Sequence, residues 1–178
     1  MARASPRPRA SSLAASEKAG AEGMQAACAV PVSQDDPYAS LRLGNQLCFP
    51  LYAAAKEIVR RYKPLLDELD LTYTQYIAMM VMWEVGETNV RDLGERLYLD
   101  SGTLTPLLRK LEEKGYVTRR RAARDARELR VAVTEEGLAL RDRALAVPRG
   151  IAACVDIPLE DAVELRRILD ELLGSLVG

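Results

Sequence analysis

Cys48 lies in the run Asn45 to Tyr52 (NQLCFPLY), a single thiol among apolar residues with a proline two positions later. A thiol can serve as nucleophile, redox centre or metal ligand, and each role needs its anion to be stabilised. The chain holds three cysteines, Cys28, Cys48 and Cys154, and no histidine. Cys/His and Ser/His nucleophile pairs and His-based zinc sites are therefore excluded within one chain, and neither a metal site nor a cofactor is expected. Help for a Cys48 anion must come from a helix N-terminus, hydroxyls, cations or a second subunit. The alternative is an inert apolar filler, the ordinary role of a buried cysteine.

The second set of candidate residues is basic and hydroxylated. Residues 101–130 carry nine Lys or Arg against four Asp or Glu, leaving 16 against 22 elsewhere in a chain of net charge -1. A basic patch on an acidic body points to an anionic partner. At 178 residues, 48% hydrophobic and 29% charged, the chain can bury one substantial core. It has no apolar run near the ~20 residues of a membrane span and no apolar core of a secretory signal, and its cysteines do not form a disulfide scaffold. A reducing cytoplasmic setting without membrane association is expected.

The elements that must position these groups follow from periodicity. Residues 1–36 are rich in Ala, Ser, Pro and Gly with no apolar face, which predicts a disordered extension holding Cys28; a start at Met24 would remove most of it. Residues 37–178 are expected to form one mainly α domain. Apolar positions from Leu47 to Leu69 recur at three- and four-residue steps, a helix whose beginning is set near Asn45 by Pro50, with Asn45 as its cap. Thr74 to Val85 is apolar nearly all round, predicting a buried helix stopped by Gly86. Two short helices follow, Arg91–Tyr98 and Gly102–Lys114, joined by LDSG, in which Asp100 or Ser101 can cap. That is a helix-turn-helix. YVTRRR and LRVAVT alternate as strands around the charged tip AARDARE, a wing, so the DNA-binding lobe spans about residues 72–134. Two more helices, Thr134–Ala146 and Leu159–Val177, are separated by the linker VPRGIAACVDIP.

In such a motif the second helix enters the major groove, where its N-terminal side chains meet base edges and its cations hold phosphates. Ser101, Thr103 and Thr105 are the short polar groups at that end, and Arg109 and Lys110 follow. Hydroxyls at a helix start often only cap, so the helix pair alone does not decide between a DNA reader and an ordinary hairpin. The wing decides it. Its arginines Arg119, Arg120, Arg121, Arg124, Arg127 and Arg130, offset only by Asp125 and Glu128, are expected to repel one another unless an anion neutralises them. Arg127 at the tip is placed to enter a minor groove with Asp125 orienting its guanidinium. Cys48 falls within the first turn of its helix, where the positive dipole end favours an anion. Tyr62 lies 14 residues on and on the same face. At ~1.5 Å per residue it is roughly 21 Å away along the axis, so its hydroxyl reaches Cys48 only from a second subunit with its first helix antiparallel.

The runs NQLCFPLY, YKPLLDELDLTYTQY and LGERLYLDSGTLTPLLRKLEEKGYVTRR, with the wing text RDARE, closely resemble the organic hydroperoxide resistance regulators, a branch of the MarR family of winged-helix repressors. The resemblance runs from Asp36 to the C-terminus. It implies a winged helix-turn-helix flanked by N- and C-terminal dimerisation helices, and a homodimer on a pseudo-palindromic double-stranded operator. It further implies that Cys48 is the peroxide-sensing thiol, that Tyr62 and Tyr73 hydrogen-bond it across the dimer, and that organic hydroperoxide is the reactive effector that releases DNA. Cys154 stands where some members carry a second cysteine that closes an intersubunit disulfide with the first; otherwise it is a small residue filling a loop contact. Two other functions are open: a MarR-type repressor released by a small aromatic ligand, with Cys48 as filler, and a thiol peroxidase. The peroxidase is disfavoured, because no thioredoxin-like alternation of strands and helices is present and turnover has no use for a wing.

Overall fold

The computed structural model describes residues 36–122 and 128–177, in two compact units divided between Ile58 and Val59. The tail before Asp36 with its Cys28, and the wing-tip residues Asp125 and Arg127, lie outside the described residues.

In the first unit two short 3-10 turns, Ala39–Leu41 and Leu43–Asn45, precede helix α1 (Cys48–Asp67), within which the division between the units falls. Asn45 does not cap α1. Its side-chain amide is spent on the preceding turn, donating to the Ala39 carbonyl at 2.8 Å, and the helix begins at Cys48. Pro50 is thus the third helical residue, where no intrahelical partner for its nitrogen is needed. Pro64 lies at the start of the last turn and costs α1 one backbone bond near its end.

The second unit is built around α2 (Tyr73–Val85). Thr72 caps it through a capping box, accepting from the Gln75 N–H at 3.3 Å while the Gln75 side chain accepts from the Thr72 N–H at 3.0 Å. The box satisfies Gln75, the one buried polar side chain among the described residues, and lets α2 bury Tyr76, Ala78, Met79, Val81 and Met82. After Gly86 comes strand β1 (Glu87–Asn89), then α3 (Val90–Leu97) capped by Asn89 and α4 (Ser101–Glu113) capped by Asp100. The α3–α4 pair is close enough to need Gly94. A Cβ there would meet the Leu99 carbonyl oxygen at 2.7 Å.

Gly115, at φ +77°, turns the chain from α4 into β2 (Val117–Arg121), which pairs antiparallel with β3 (Leu129–Val133). β3 also pairs with β1, so the sheet order is β1-β3-β2. α5 (Glu135–Ala144), capped by Thr134, stops two residues before the predicted Ala146. The predicted linker contains a further helix, α6 (Ala146–Ala152), and α7 (Leu159–Val177) has its expected limits. α6 packs through Gly150, where a Cβ would meet the Leu65 side chain at 2.8 Å, and it buries Val147. Among the described residues no helix is long and apolar enough to cross a membrane.

Candidate functional site

Cys48 is the first residue of α1, and that first turn holds no acidic side chain. Its thiol therefore stands at the positive end of a 20-residue helix. Cys48 and Cys154 both lie at the surface. Cys154 follows α6, its N–H donating to the Ile151 carbonyl at 2.8 Å.

The two predicted tyrosines come together. Tyr62 of α1 and Tyr73, the first residue of α2, meet edge to face with ring centroids 4.9 Å apart. Burial pushes the Tyr62 phenol above its ordinary pKa, and the neighbouring Tyr73 phenol adds to the shift. The Tyr62 hydroxyl thus keeps its proton at neutral pH and is a hydrogen-bond donor. Two further rings extend the pair and were not foreseen: Tyr76 lies 6.0 Å from Tyr62, and Trp83 lies 6.3 Å from Tyr76. Their spacing along α2, three and ten residues from Tyr73, is a one-face helical pattern that marks them in the sequence. The Trp83 indole N–H donates to the Gly137 carbonyl at 2.7 Å.

The helix-turn-helix presents Ser101, Thr103, Thr105, Arg109 and Lys110 on the exposed face of α4. Asp100 rather than Ser101 is the cap. Its carboxylate accepts from both the Thr103 N–H and the Thr103 hydroxyl at 2.9 Å, bonds that hold its pKa below the ordinary value. The Thr105 hydroxyl donates to the Ser101 carbonyl at 2.7 Å. Thr103 and Thr105 have therefore committed their hydroxyl protons within the helix, and toward an outside group they are acceptors. Arg109 is paired with Glu113 at 2.9 Å on an exposed surface, a weak contact that can be exchanged for another anion.

The wing arginines depart from the expectation of mutual repulsion. Arg119 is held by Glu112 of α4, Arg120 and Arg130 by Glu87 of β1, each at 2.6 to 2.7 Å, and Arg130 also by Glu128 at 3.2 Å. Arg120 and Arg130 are direct cross-strand neighbours, a like-charge pair that Glu87 bridges. The Arg130 hydrogen bond, followed by the charges of Arg120 and Arg130, lowers the Glu87 pKa, and the Arg119 hydrogen bond does the same for Glu112. Arg119, Arg120 and Arg130 are thus neutralised inside the protein, chiefly by Glu112 and Glu87, which the local text of the wing does not contain.

A helix-turn-helix with an exposed cationic second helix and a basic wing fits a nucleic-acid backbone, and a thiol at a helix N-terminus fits an electrophile. The family model of the transcriptional regulators SarA/Rot matches residues 60–143. The chain is 42% identical over 142 residues to the organic hydroperoxide resistance transcriptional regulator of Bacillus subtilis (strain 168), covering 80% of this chain and 97% of that one. Reduced AbfR bound to DNA is similar at 32% identity with a TM-score of 0.66, over 76% of this chain and 93% of that one. AbfR is a protein of Staphylococcus epidermidis. Its disulfide form is similar with a TM-score of 0.53 and 32% identity, over 76% and 90% of the two chains. MarR of E. coli, 22% identical with a TM-score of 0.60 over 71% of this chain and 96% of its own, shares the fold.

Proposed function

Since the chain belongs to the organic hydroperoxide resistance transcriptional regulators of the MarR family, we propose that it is a repressor whose reduced homodimer holds a pseudo-palindromic operator and lets go when an organic hydroperoxide oxidises Cys48. The observation that carries this reading is Cys48 as the first residue of α1, at the N-terminus of a 20-residue helix. In this reading the Tyr62–Tyr73 pair serves the thiol of the other subunit. A dimer is favoured by α7, which buries none of its residues among those described and exposes Leu159, Val163, Ile168 and Leu176.

In this reaction the Cys48 thiolate attacks the terminal oxygen of R–O–O–H. The O–O bond breaks, the alkoxide leaves and takes up a proton to become an alcohol, and the sulfur, oxidised by two electrons, becomes a sulfenic acid. Cys154 of the partner subunit then attacks that sulfur, forming S–S with loss of water. The Cα atoms of a disulfide stand within about 7 Å, so bond formation draws the two subunits into a new arrangement and shifts the recognition helices off their half-sites. Ser101, Thr103, Thr105, Arg109 and Lys110 face the major groove, and Arg127 with Asp125 serves the minor groove.

The test is an operator gel shift with wild type and Cys48→Ser, each with and without an organic hydroperoxide. Release of wild type alone is expected. Release of both proteins by peroxide, or of neither, refutes the reading, and release of both by an aromatic acid would favour ligand control.

A further inference from the structure

The tyrosine pair and the wing root are served by opposite ends of one helix. Tyr73 is the first residue of α2, while Trp83 lies two residues before its last, Val85. At that far end α2 is tied to the wing and to the helix that follows it: the Gly86 carbonyl accepts from the Val133 N–H of β3 at 2.9 Å, and the Trp83 indole N–H donates to the Gly137 carbonyl of α5 at 2.7 Å. Gly137 itself has no slack. A Cβ on it would stand 2.1 Å from the Tyr116 carbonyl oxygen, because the first turn of α5 is pressed onto the residue that leads into β2. The same junction is held by the Thr134 N–H on the Tyr116 carbonyl at 3.1 Å and the Thr134 hydroxyl on the Gly115 carbonyl at 2.6 Å. Between the two ends the rings touch in series, Tyr73 to Tyr62 to Tyr76 to Trp83.

We propose that Trp83 is a positioning residue that couples the state of the tyrosine pair to the wing root through its hydrogen bond to Gly137. Close-packed rings do not compress, so a displacement of the Tyr62–Tyr73 pair must be taken up by its neighbours. Tyr76 is buried and its far edge bears on Trp83. The indole is the last ring of the series and the one that makes a polar bond to another element. Moving it breaks or drags a bond to the turn that holds both wing strands, which gives the wing two discrete arrangements rather than a continuum. This inference rests on the proposed function, since it needs oxidation of Cys48 to disturb the tyrosines.

Trp83 is the single tryptophan of the chain, so its emission reports this residue alone. In full-length wild type, stoichiometric tert-butyl hydroperoxide should shift the emission, and Cys48→Ser should show no shift. In Trp83→Phe, which keeps an aromatic ring and removes the donor, reduced operator affinity and the rate of Cys48 oxidation should stay at wild-type values. The ratio of oxidised to reduced Kd should shrink by about fivefold or more. A purely structural role would instead lower the melting temperature and reduced affinity while leaving that ratio intact. A wild-type emission unmoved by oxidation, or a Trp83→Phe ratio equal to wild type, overturns the proposal. The emission measurement needs no variant and decides the matter if Trp83→Phe does not fold. Wild type that stays on the operator when oxidised refutes the functional reading as well, whereas wild type that is released together with a released Trp83→Phe refutes only the relay.

Discussion

Gly137→Ala tests the junction between α5 and the wing, and helix propensity alone gives it the opposite sign. Gly137 is the third residue of α5, and replacing a helical glycine by alanine ordinarily stabilises by about 1 kcal/mol. Here the added Cβ would stand 2.1 Å from the Tyr116 carbonyl oxygen and 2.8 Å from Val133 Cγ2. The oxygen cannot simply withdraw, since it accepts the Thr134 N–H at 3.1 Å. Relief therefore requires α5 to move by about 1 Å, an overpacking cost of about 1 to 3 kcal/mol. The move also stretches the Trp83–Gly137 hydrogen bond, whose net contribution is about 0.5 to 1.5 kcal/mol. After subtracting the propensity gain, the variant should be less stable by about 0.5 to 3.5 kcal/mol. Urea unfolding followed by circular dichroism reads this as a lower midpoint at unchanged slope. A midpoint equal to or above wild type would refute the packing argument and the rigid wing root built on it.

Three other outcomes follow from the same geometry. Glu87 has a lowered pKa, so its support of the Arg120–Arg130 pair is complete above the ordinary glutamate value and is lost as pH falls through the lowered one; unfolding from pH 7 to pH 2 should show this loss in wild type, and Glu87→Gln should have a weaker wing at neutral pH and a flatter acid dependence, whereas parallel pH profiles would contradict it. Tyr62→Phe keeps the ring stack and removes one donor, so reduced protein should bind operator normally while peroxide oxidises Cys48 on the order of tenfold more slowly, as expected for a lost hydrogen bond to an anion; stopped-flow oxidation at an unchanged rate would exclude the role. Cys154→Ser should still react at Cys48 but give no covalent dimer on a non-reducing gel and over-oxidise more readily, and a dimer band that persists would assign the bond to another cysteine.

Much of the fold was legible because its helices carry strong periodicity and punctuation. α2, α4 and α7 fall within a residue of their expected ends, fixed by Gly86, by Asp100 with Gly115, and by the apolar pattern from Leu159. β1 is not legible in the sequence because three residues are too few to show alternation, and Glu87–Asn89 is a strand only through pairing with β3. The text of α6 looks like a linker because Pro148 and Gly150 punctuate it, although Pro148 falls in its first turn and Gly150 is what lets Leu65 pack against it. At the candidate site the thiol and the two tyrosines could be singled out from residue type, spacing and family resemblance. The ion pairs could not: Glu87 is 33 residues from Arg120, and its role depends on a sheet order that local text does not encode. Asn45 illustrates the reverse case, a good capping residue whose amide is claimed by the turn before it.

The central claim is that one oxidation at Cys48 controls DNA occupancy. It is tested most directly by titrating the reduced protein on fluorescently labelled operator with an organic hydroperoxide, following anisotropy while mass spectrometry reports the oxidation state of Cys48. Release should track Cys48 oxidation, be complete at about one equivalent of peroxide per subunit, and reverse with added dithiol. Operator that stays bound with Cys48 fully oxidised, or that leaves with Cys48 still a thiol, would contradict the account.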